Sequence, residues 1–373
     1  MPIEVESPEE LGYDTIECNL AESSVADACL DDLDIELDVG SLLLAYGDHL
    51  GDPALRELIA AKGEGLGAND VIAAPGAAAA LFCVNTAVLQ PGDHAVIASP
   101  NYATNLETPR ALGADVSTID LRFQDGWRLD LDHMASLVRP GVTALVSLTC
   151  PHNPTGSMLS VDDLHAVIEL VERAGAVLLF DETYRDLTVG PLVPMAASLS
   201  PRAISVGSLS KAYGLPGLRV GWMACRDRPL RDTLLAAKEQ IFICGSTIDE
   251  TMAARVLAAG DRLLPPIRAR AWEHRALVLA WLAADARFQA VPPDGGVVCF
   301  ARFRPDLAVD VDQFYAILNQ GLATYVGPGH WFDQDRRCFR LGFGWPHTEE
   351  LQRGLANLSR ALDHATVGET IAP

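Results

Sequence analysis

Lysine is scarce in this chain: three stand among 28 basic residues, so arginine carries nearly all the positive charge. Positive charge is short overall, with 50 acidic residues giving a formal net charge of −22 over 373 residues. Nucleic acid or an anionic membrane surface would be repelled, which argues against either as a partner. Any bound anion must be held locally, by arginine and backbone N–H groups. Long apolar runs are also missing. The longest, 73–89, is interrupted by Pro75, Gly76 and Asn85, is too short to span a bilayer, and is predicted to be a buried helix. The first ten residues, MPIEVESPEE, are acidic and lack the apolar stretch of a secretory signal. None of the eight cysteines forms a C-x-x-C pair and no histidine pair has zinc-ligand spacing, so no metal site is expected. Reduced thiols in a soluble, cytoplasmic protein are the expectation.

At 40.0 kDa, with 49% hydrophobic and 21% charged residues, the chain is globular and long enough for two domains. From about residue 70 to 225, apolar β-rich runs (94–99, 142–148, 177–180, 203–206, 220–224) alternate with helix-like segments. One of these, 162–174, places Leu164, Val167, Ile168 and Val171 at helical spacing. This alternation predicts an α/β fold with a mostly parallel sheet covered by helices, and ligands at the carboxyl ends of its strands. Beyond residue 228 the texture changes. The stretch 231–264 is predicted helical, Pro265 and Pro266 are expected to break it, and 267–284 is predicted helical again. Strands at 295–303 and 337–343 and helices at 311–320 and 348–364 then suggest a smaller α+β domain.

The scarcity of lysine singles out Lys211. Lys62 and Lys238 fall in polar, helix-like stretches and read as solvated charges. Lys211 lies in Ser208-Leu209-Ser210-Lys211-Ala212-Tyr213-Gly214, with Arg219 eight residues on. A lysine amine can form a Schiff base with a carbonyl, and hydroxyls with an arginine suit a phosphate. The combination points to pyridoxal 5'-phosphate (PLP), although a surface lysine in a glycine-containing loop would read the same way. Four further runs bear on this. Cys150-Pro151-His152-Asn153-Pro154-Thr155-Gly156 is a rigid turn at a strand end that can aim an asparagine amide. Asp181 ends the buried run 177–180, where a carboxylate is costly unless it meets a cation such as a protonated pyridine, though it could be a helix cap. Gly76-Ala77-Ala78 opens a helix and offers free N–H groups to an anion, though the run could be plain helix packing. Tyr102 follows the strand 94–99, where its ring could stack on a flat cofactor or simply fill the core.

In this order and spacing the runs resemble the class I/II aminotransferases of the fold-type-I PLP enzymes. The likeness extends from Tyr46 through Arg340 and includes Tyr46-Gly47-Asp48, Asn153-Pro154-Thr155-Gly156, Asp181 with Tyr184, Ser208-x-Ser210-Lys211, Arg219 and Phe339-Arg340-Leu341. It implies that Lys211 takes the cofactor as a Schiff base and later moves a proton, and that Asp181 keeps the pyridine nitrogen protonated. Asn153 and Tyr184 would bond the ring hydroxyl, and Tyr102 would stack on the ring. Ser208, Ser210, Arg219, Gly76 and the Ala77 and Ala78 amides would hold the phosphate. Tyr46 would reach the neighbouring subunit's phosphate, which implies a homodimer with shared active sites. Arg340, with Asn153 beside it, would grip the substrate carboxylate.

The implied division is an N-terminal segment, 1–45, on the substrate side; a large PLP-binding domain, 46–264; and a small domain, 265–373. Two departures bear on chemistry. Cys150 stands where the family's turn often begins with asparagine, and 18–24 lacks the usual glycine-rich pattern of the substrate side. Transamination of an α-amino acid is the leading expectation. β-Elimination of the C–S lyase type, decarboxylation or oxidative deamination at the same site remains the alternative. A non-catalytic DNA-binding regulator would need a basic patch that this acidic chain does not show.

Overall fold

The computed structural model describes residues 8–366 apart from Leu37; the first seven residues of the acidic N-terminal stretch lie outside it. Twelve strands are present among the described residues: β1 Cys18–Leu20, β2 Val71–Ala74, β3 His94–Ser99, β4 Asp115–Asp120, β5 Thr143–Thr149, β6 Val177–Asp181, β7 Ala203–Ser208, β8 Gly221–Ala224, β9 Phe288–Ala290, β10 Val298–Phe303, β11 Thr324–Pro328 and β12 Cys338–Gly342. Seven of them form a sheet in the order β2-β8-β7-β6-β5-β3-β4. All its pairings are parallel except those of β8, which runs antiparallel to both β2 and β7.

The near-continuous apolar runs of the central strands follow from burial on both faces. Side chains alternate across the sheet: Val96, Ala98, Leu178 and Phe180 join one core, while Ala95, Ile97, Val177 and Leu179 join another on the opposite face. The helix Val161–Ala174 covers the first face with buried Leu164, Val167, Ile168 and Val171. Its start is fixed by a capping box, in which Asp163 N–H donates to Ser160 Oγ at 3.0 Å and Ser160 N–H to Asp163 Oδ2 at 3.1 Å. Gly175 ends it in the left-handed region. The helix Ala77–Val88 covers the second face through Ala80, Leu81 and Val84.

The second sheet, β1-β11-β12-β10-β9, joins the N-terminal segment to the C-terminal third of the chain. β1 pairs parallel with β11, and the other pairings are antiparallel. The helix Thr348–Ala365 packs on this sheet with Leu351, Leu355, Leu358 and Leu362 buried, each contributing about 1.5–3 kcal/mol by removal from water. The fold is therefore the expected α/β architecture with a smaller α+β sheet drawn from both ends of the chain.

Several local expectations are corrected. The run 73–89 is not one helix, because strand β2 ends at Ala74 and the Ala77–Val88 helix begins after a turn at Gly76, whose φ of +85° no helix allows. Pro265 and Pro266 do not break the chain either: both lie inside the continuous helix Gly260–Ala284. Proline costs a helix interior about 3 kcal/mol, and packing of buried Leu264, Ala271 and Val278 outweighs it here. The predicted helical stretch 231–264 comprises Arg228–Glu239, then Thr247–Ala258 started by the Ser246 cap, then the first turns of Gly260–Ala284. Lys238 is fully buried and donates to the His49 carbonyl at 2.6 Å, with burial lowering its pKa, and Lys62 pairs with Asp186 over the Tyr213 ring. Neither is an ordinary solvated charge.

Candidate active site

Because β8 is reversed, the carboxyl ends of β2, β3, β5, β6 and β7 and the start of β8 all lie on one edge of the large sheet. The registers Asp181↔Val206, Ser208↔Gly221 and Ala74↔Gly221 bring these ends level. That edge carries Gly76, Tyr102, Asn153, Asp181, Ser208, Lys211 and Arg219, residues up to 143 positions apart in the chain (219 − 76).

Asp181 closes β6 and is buried. Burial raises its pKa, opposed by hydrogen bonds from Thr183 and Asn105 and by the charge of Lys211. Thr183 donates both its N–H, at 3.0 Å, and its hydroxyl, at 2.6 Å, to Oδ1. Asn105 is in turn held by Asn101, whose Oδ1 also accepts from Thr149 Oγ1 at 3.3 Å. A carboxylate this deep is most stable facing a cation. Lys211 sits three residues beyond the end of β7 and acts electrostatically on Asp181.

The anion side is built from β2, β7 and β8. Ser208 and Ser210 are buried, with Ser210 N–H donating to Ser208 Oγ at 3.3 Å. Arg219 adopts φ +52° and donates to the Pro216 carbonyl at 2.9 Å and the Pro75 carbonyl at 3.4 Å, which aims it across the Gly76 turn. Gly76 has no side-chain cap, so the first amides of Ala77–Val88 point outward from the helix without one. A Cβ on Gly76 would stand 2.6 Å from Arg219 Nη2.

On the other side, Arg340 of β12 is buried and donates to Asn153 Oδ1 at 3.1 Å and to the Ala21 carbonyl at 2.6 Å. Its guanidinium lies 5.1 Å from the Phe332 ring centroid. Tyr184 lies buried between the two ends. Burial pushes its phenol up to about 12, against the charge of Arg340 and a hydrogen bond with Ser23. Tyr102 is half-buried at the start of the helix Ala103–Ala111. Tyr46 is not part of this gathering within one chain: it is 80% exposed.

The residues fit a flat anionic cofactor with a protonated ring nitrogen. Gly76 leaves open a cradle that a Cβ would fill, and the buried Asp181 calls for a cation. Sequence reasoning missed Thr183, Asn105 and Ser23. Asn101 precedes the helix Ala103–Ala111 that carries Asn105, so their spacing held no helical signal, and Ser23 carried none either.

A family profile described as "Aminotransferase class I and II" matches residues 21–358. Among curated relatives, the capreomycidine synthase of Streptomyces vinaceus is 34% identical over 88% of this chain and 82% of its own length. The arginine–pyruvate transaminase of Pseudomonas aeruginosa is 31% identical over 73% of this chain and 71% of its own. Among solved structures, a PLP-dependent aminotransferase from Streptococcus suis superposes with TM-score 0.90 at 27% identity, covering 99% of this chain and 100% of that one. A PLP-dependent cyclase, OrfR, superposes with TM-score 0.86 at 30% identity over 98% and 99%.

Proposed function

The chain belongs to the class I and II aminotransferase family, an enzyme family working with PLP on amino acids, and from this we propose that it moves the α-amino group of an amino acid to a 2-oxo acid at the strand-end site between Lys211 and Arg340. The observation that carries this reading is the 3.1 Å hydrogen bond from Arg340 of β12 to Asn153 Oδ1, which joins the second sheet to the strand-end turn on the edge that also carries Lys211. It supports a carboxylate-binding end and an amine-binding end in one site.

PLP, when bound, supplies the electron sink that weakens the bonds at the substrate Cα. The protein's own residues do the rest. Ser208, Ser210, Arg219 and the Ala77 and Ala78 amides bind the phosphate; in a protein of net charge −22 this local cation and dipole are needed. Asp181, held by Thr183 and Asn105, keeps a proton on the ring nitrogen. Asn153 and Tyr184 donate to the ring hydroxyl, and Tyr102 covers the ring face. Lys211 would hold the cofactor through Nζ, and the same Nζ as a free base could carry a proton to or from the substrate Cα. Arg340 grips the carboxylate as a fork and so sets which Cα bond is weakened.

Six large apolar side chains stand in solvent near residues 43–46 and 241–248: Leu43, Leu44, Tyr46, Ile241, Ile243 and Ile248. Thr247 Oγ1 donates to the Ala45 carbonyl at 3.4 Å, tying the two stretches together. This patch supports a homodimer in which Tyr46 reaches the partner's phosphate site. Eight free thiols, five of them buried, support a reducing cytoplasmic setting.

A second reading keeps these residues but breaks or forms a bond beyond Cα, and it is favoured by the relatives named as a synthase and a cyclase. One experiment separates the two. Purified holoenzyme is mixed with an amino-acid panel while absorbance, keto acid, ammonia and released leaving group are followed. Transamination yields the amine form of the cofactor and a keto acid without ammonia; elimination yields ammonia. Lys211→Ala abolishes the visible absorbance of the bound cofactor and leaves turnover negligible. Retention of both in that variant would reject the assignment.

A further inference from the structure

One wall of the site comes from outside the large sheet. Residues 21–25, just after β1, run past three of its members. The Ala21 carbonyl accepts from Arg340 Nη2 at 2.6 Å, the Ser23 side chain hydrogen-bonds Tyr184, and Val25 N–H donates to the Lys211 carbonyl at 3.1 Å. Ala21, Ser23, Ser24 and Val25 are buried; Glu22, the one carboxylate of this stretch, is half-buried.

The position of Glu22 is fixed twice. Gly342, two residues beyond Arg340 on β12, lies so close that a Cβ there would overlap the Glu22 carbonyl oxygen. Glu22 Oε1 also accepts from the Tyr13 hydroxyl at 3.0 Å, and the Tyr13 ring stacks on Trp345 with centroids 6.1 Å apart and planes 18° apart. The Glu22 charge reaches the Tyr184 phenol, raising its pKa beside the larger effect of burial.

We propose that Glu22 is a specificity residue that receives a cationic group, a guanidinium or ammonium, at the far end of the substrate side chain, so that the enzyme takes basic amino acids. This rests on the reading of the site given above. A substrate pinned by its carboxylate at Arg340 and its amine at Lys211 has only its side chain left to choose a direction. The 21–25 wall spans the distance between those two anchors, so the side chain runs along it. A carboxylate accepts about four hydrogen bonds, and the Tyr13 hydroxyl uses one of them. The remaining lone pairs of both oxygens can accept from a guanidinium or an ammonium, and the flanking Tyr13 and Trp345 rings suit a cation. The acidic surface, net −22, also draws cationic substrates toward the site.

The test compares arginine, its neutral isostere citrulline, and norvaline in the half-reaction of PLP-loaded wild-type and Glu22→Gln proteins. Calorimetric binding of 5-guanidinopentanoate, which is arginine without its α-amine, provides a readout free of turnover. Wild type should prefer arginine to citrulline by roughly tenfold or more, as charge-assisted hydrogen bonds imply. In Glu22→Gln the arginine-to-citrulline and arginine-to-norvaline ratios should both collapse toward one, through KM and not kcat, and 5-guanidinopentanoate should bind about tenfold more weakly. A wild type indifferent to the guanidinium, or a preference that survives Glu22→Gln, overturns the assignment while norvaline turnover leaves the functional reading standing. If none of the three amino acids alters the bound cofactor while another of the amino-acid panel does, this inference falls and the functional reading stands; if no amino acid of the panel does, both fail.

Discussion

Glu182 shows how burial alone can dominate a side chain's chemistry. It sits next to Asp181, accepts from Ser205 Oγ at 2.6 Å and from Ala196 N–H at 2.9 Å, and has Arg185 Nε at 3.5 Å. Burial nevertheless pushes its carboxyl from 4.5 up to about 7, outweighing those bonds and Arg185. A carboxyl with a raised native pKa binds its proton more tightly when folded than when unfolded. Its contribution is therefore most favourable below about pH 4.5 and declines as pH rises to about 7, staying constant beyond. Glutamine mimics the protonated form, so Glu182→Gln should gain on wild type as pH rises, by about 3 kcal/mol between pH 4.5 and 8. Chemical denaturation across that range checks the point, and a stability difference that does not change with pH would contradict it. Asp181 lives under the same penalty one residue earlier. There the hydrogen bonds from Thr183 and Asn105 and the nearby Lys211 favour the charged form, which is what a partner for a protonated ring nitrogen requires.

At the scale of an element, the Ala77–Val88 helix does two jobs. Its apolar side fills the core against β7 and β8, and its open N-terminus faces the strand-end site. Gly76 joins the two, because φ +85° and the 2.6 Å approach of Arg219 leave no room for a side chain. Gly76→Ala must either hold a backbone conformation that costs a residue with a side chain about 1–3 kcal/mol or push Arg219 aside. Both outcomes weaken the anion cup, so the PLP dissociation constant of the apoenzyme should rise roughly tenfold, with lysine chemistry otherwise intact. Fluorescence titration measures this directly. Affinity within twofold of wild type would mean that the phosphate does not sit at this turn.

The whole molecule carries a net charge of −22, yet among the described residues Leu43, Leu44, Tyr46, Ile241, Ile243 and Ile248 are exposed apolar groups on two neighbouring stretches. Exposed apolar groups clustered in this way mark an interface. Sedimentation should show a dimer. Mixing Tyr46→Phe with Lys211→Ala protein under conditions that exchange subunits should regenerate one intact site per heterodimer. A fully active monomer would refute the shared site. Among the described residues, no helix is long and apolar enough to cross a membrane.

The local grammar of the chain was legible in advance. Apolar runs bounded by turn residues located β3, β5, β6, β7 and β8 to within a residue or two at either end, because strand periodicity and turn chemistry depend on neighbours in sequence. The rarity of lysine isolated Lys211 for the same reason. Where packing competes with local preference, sequence reading failed: Pro265 and Pro266 stay helical, and Lys238 is buried beside Glu250. Long-range meetings were legible only through family resemblance, as with Arg340 and Asn153, or not at all, as with Asn105 against Asp181 and Glu22 against the Tyr184 wall. Such meetings depend on strand order, on the reversal of β8 and on the parallel pairing of β1 with β11. None of these leaves a periodic trace, because each is the outcome of burying two sheets and their helices at once.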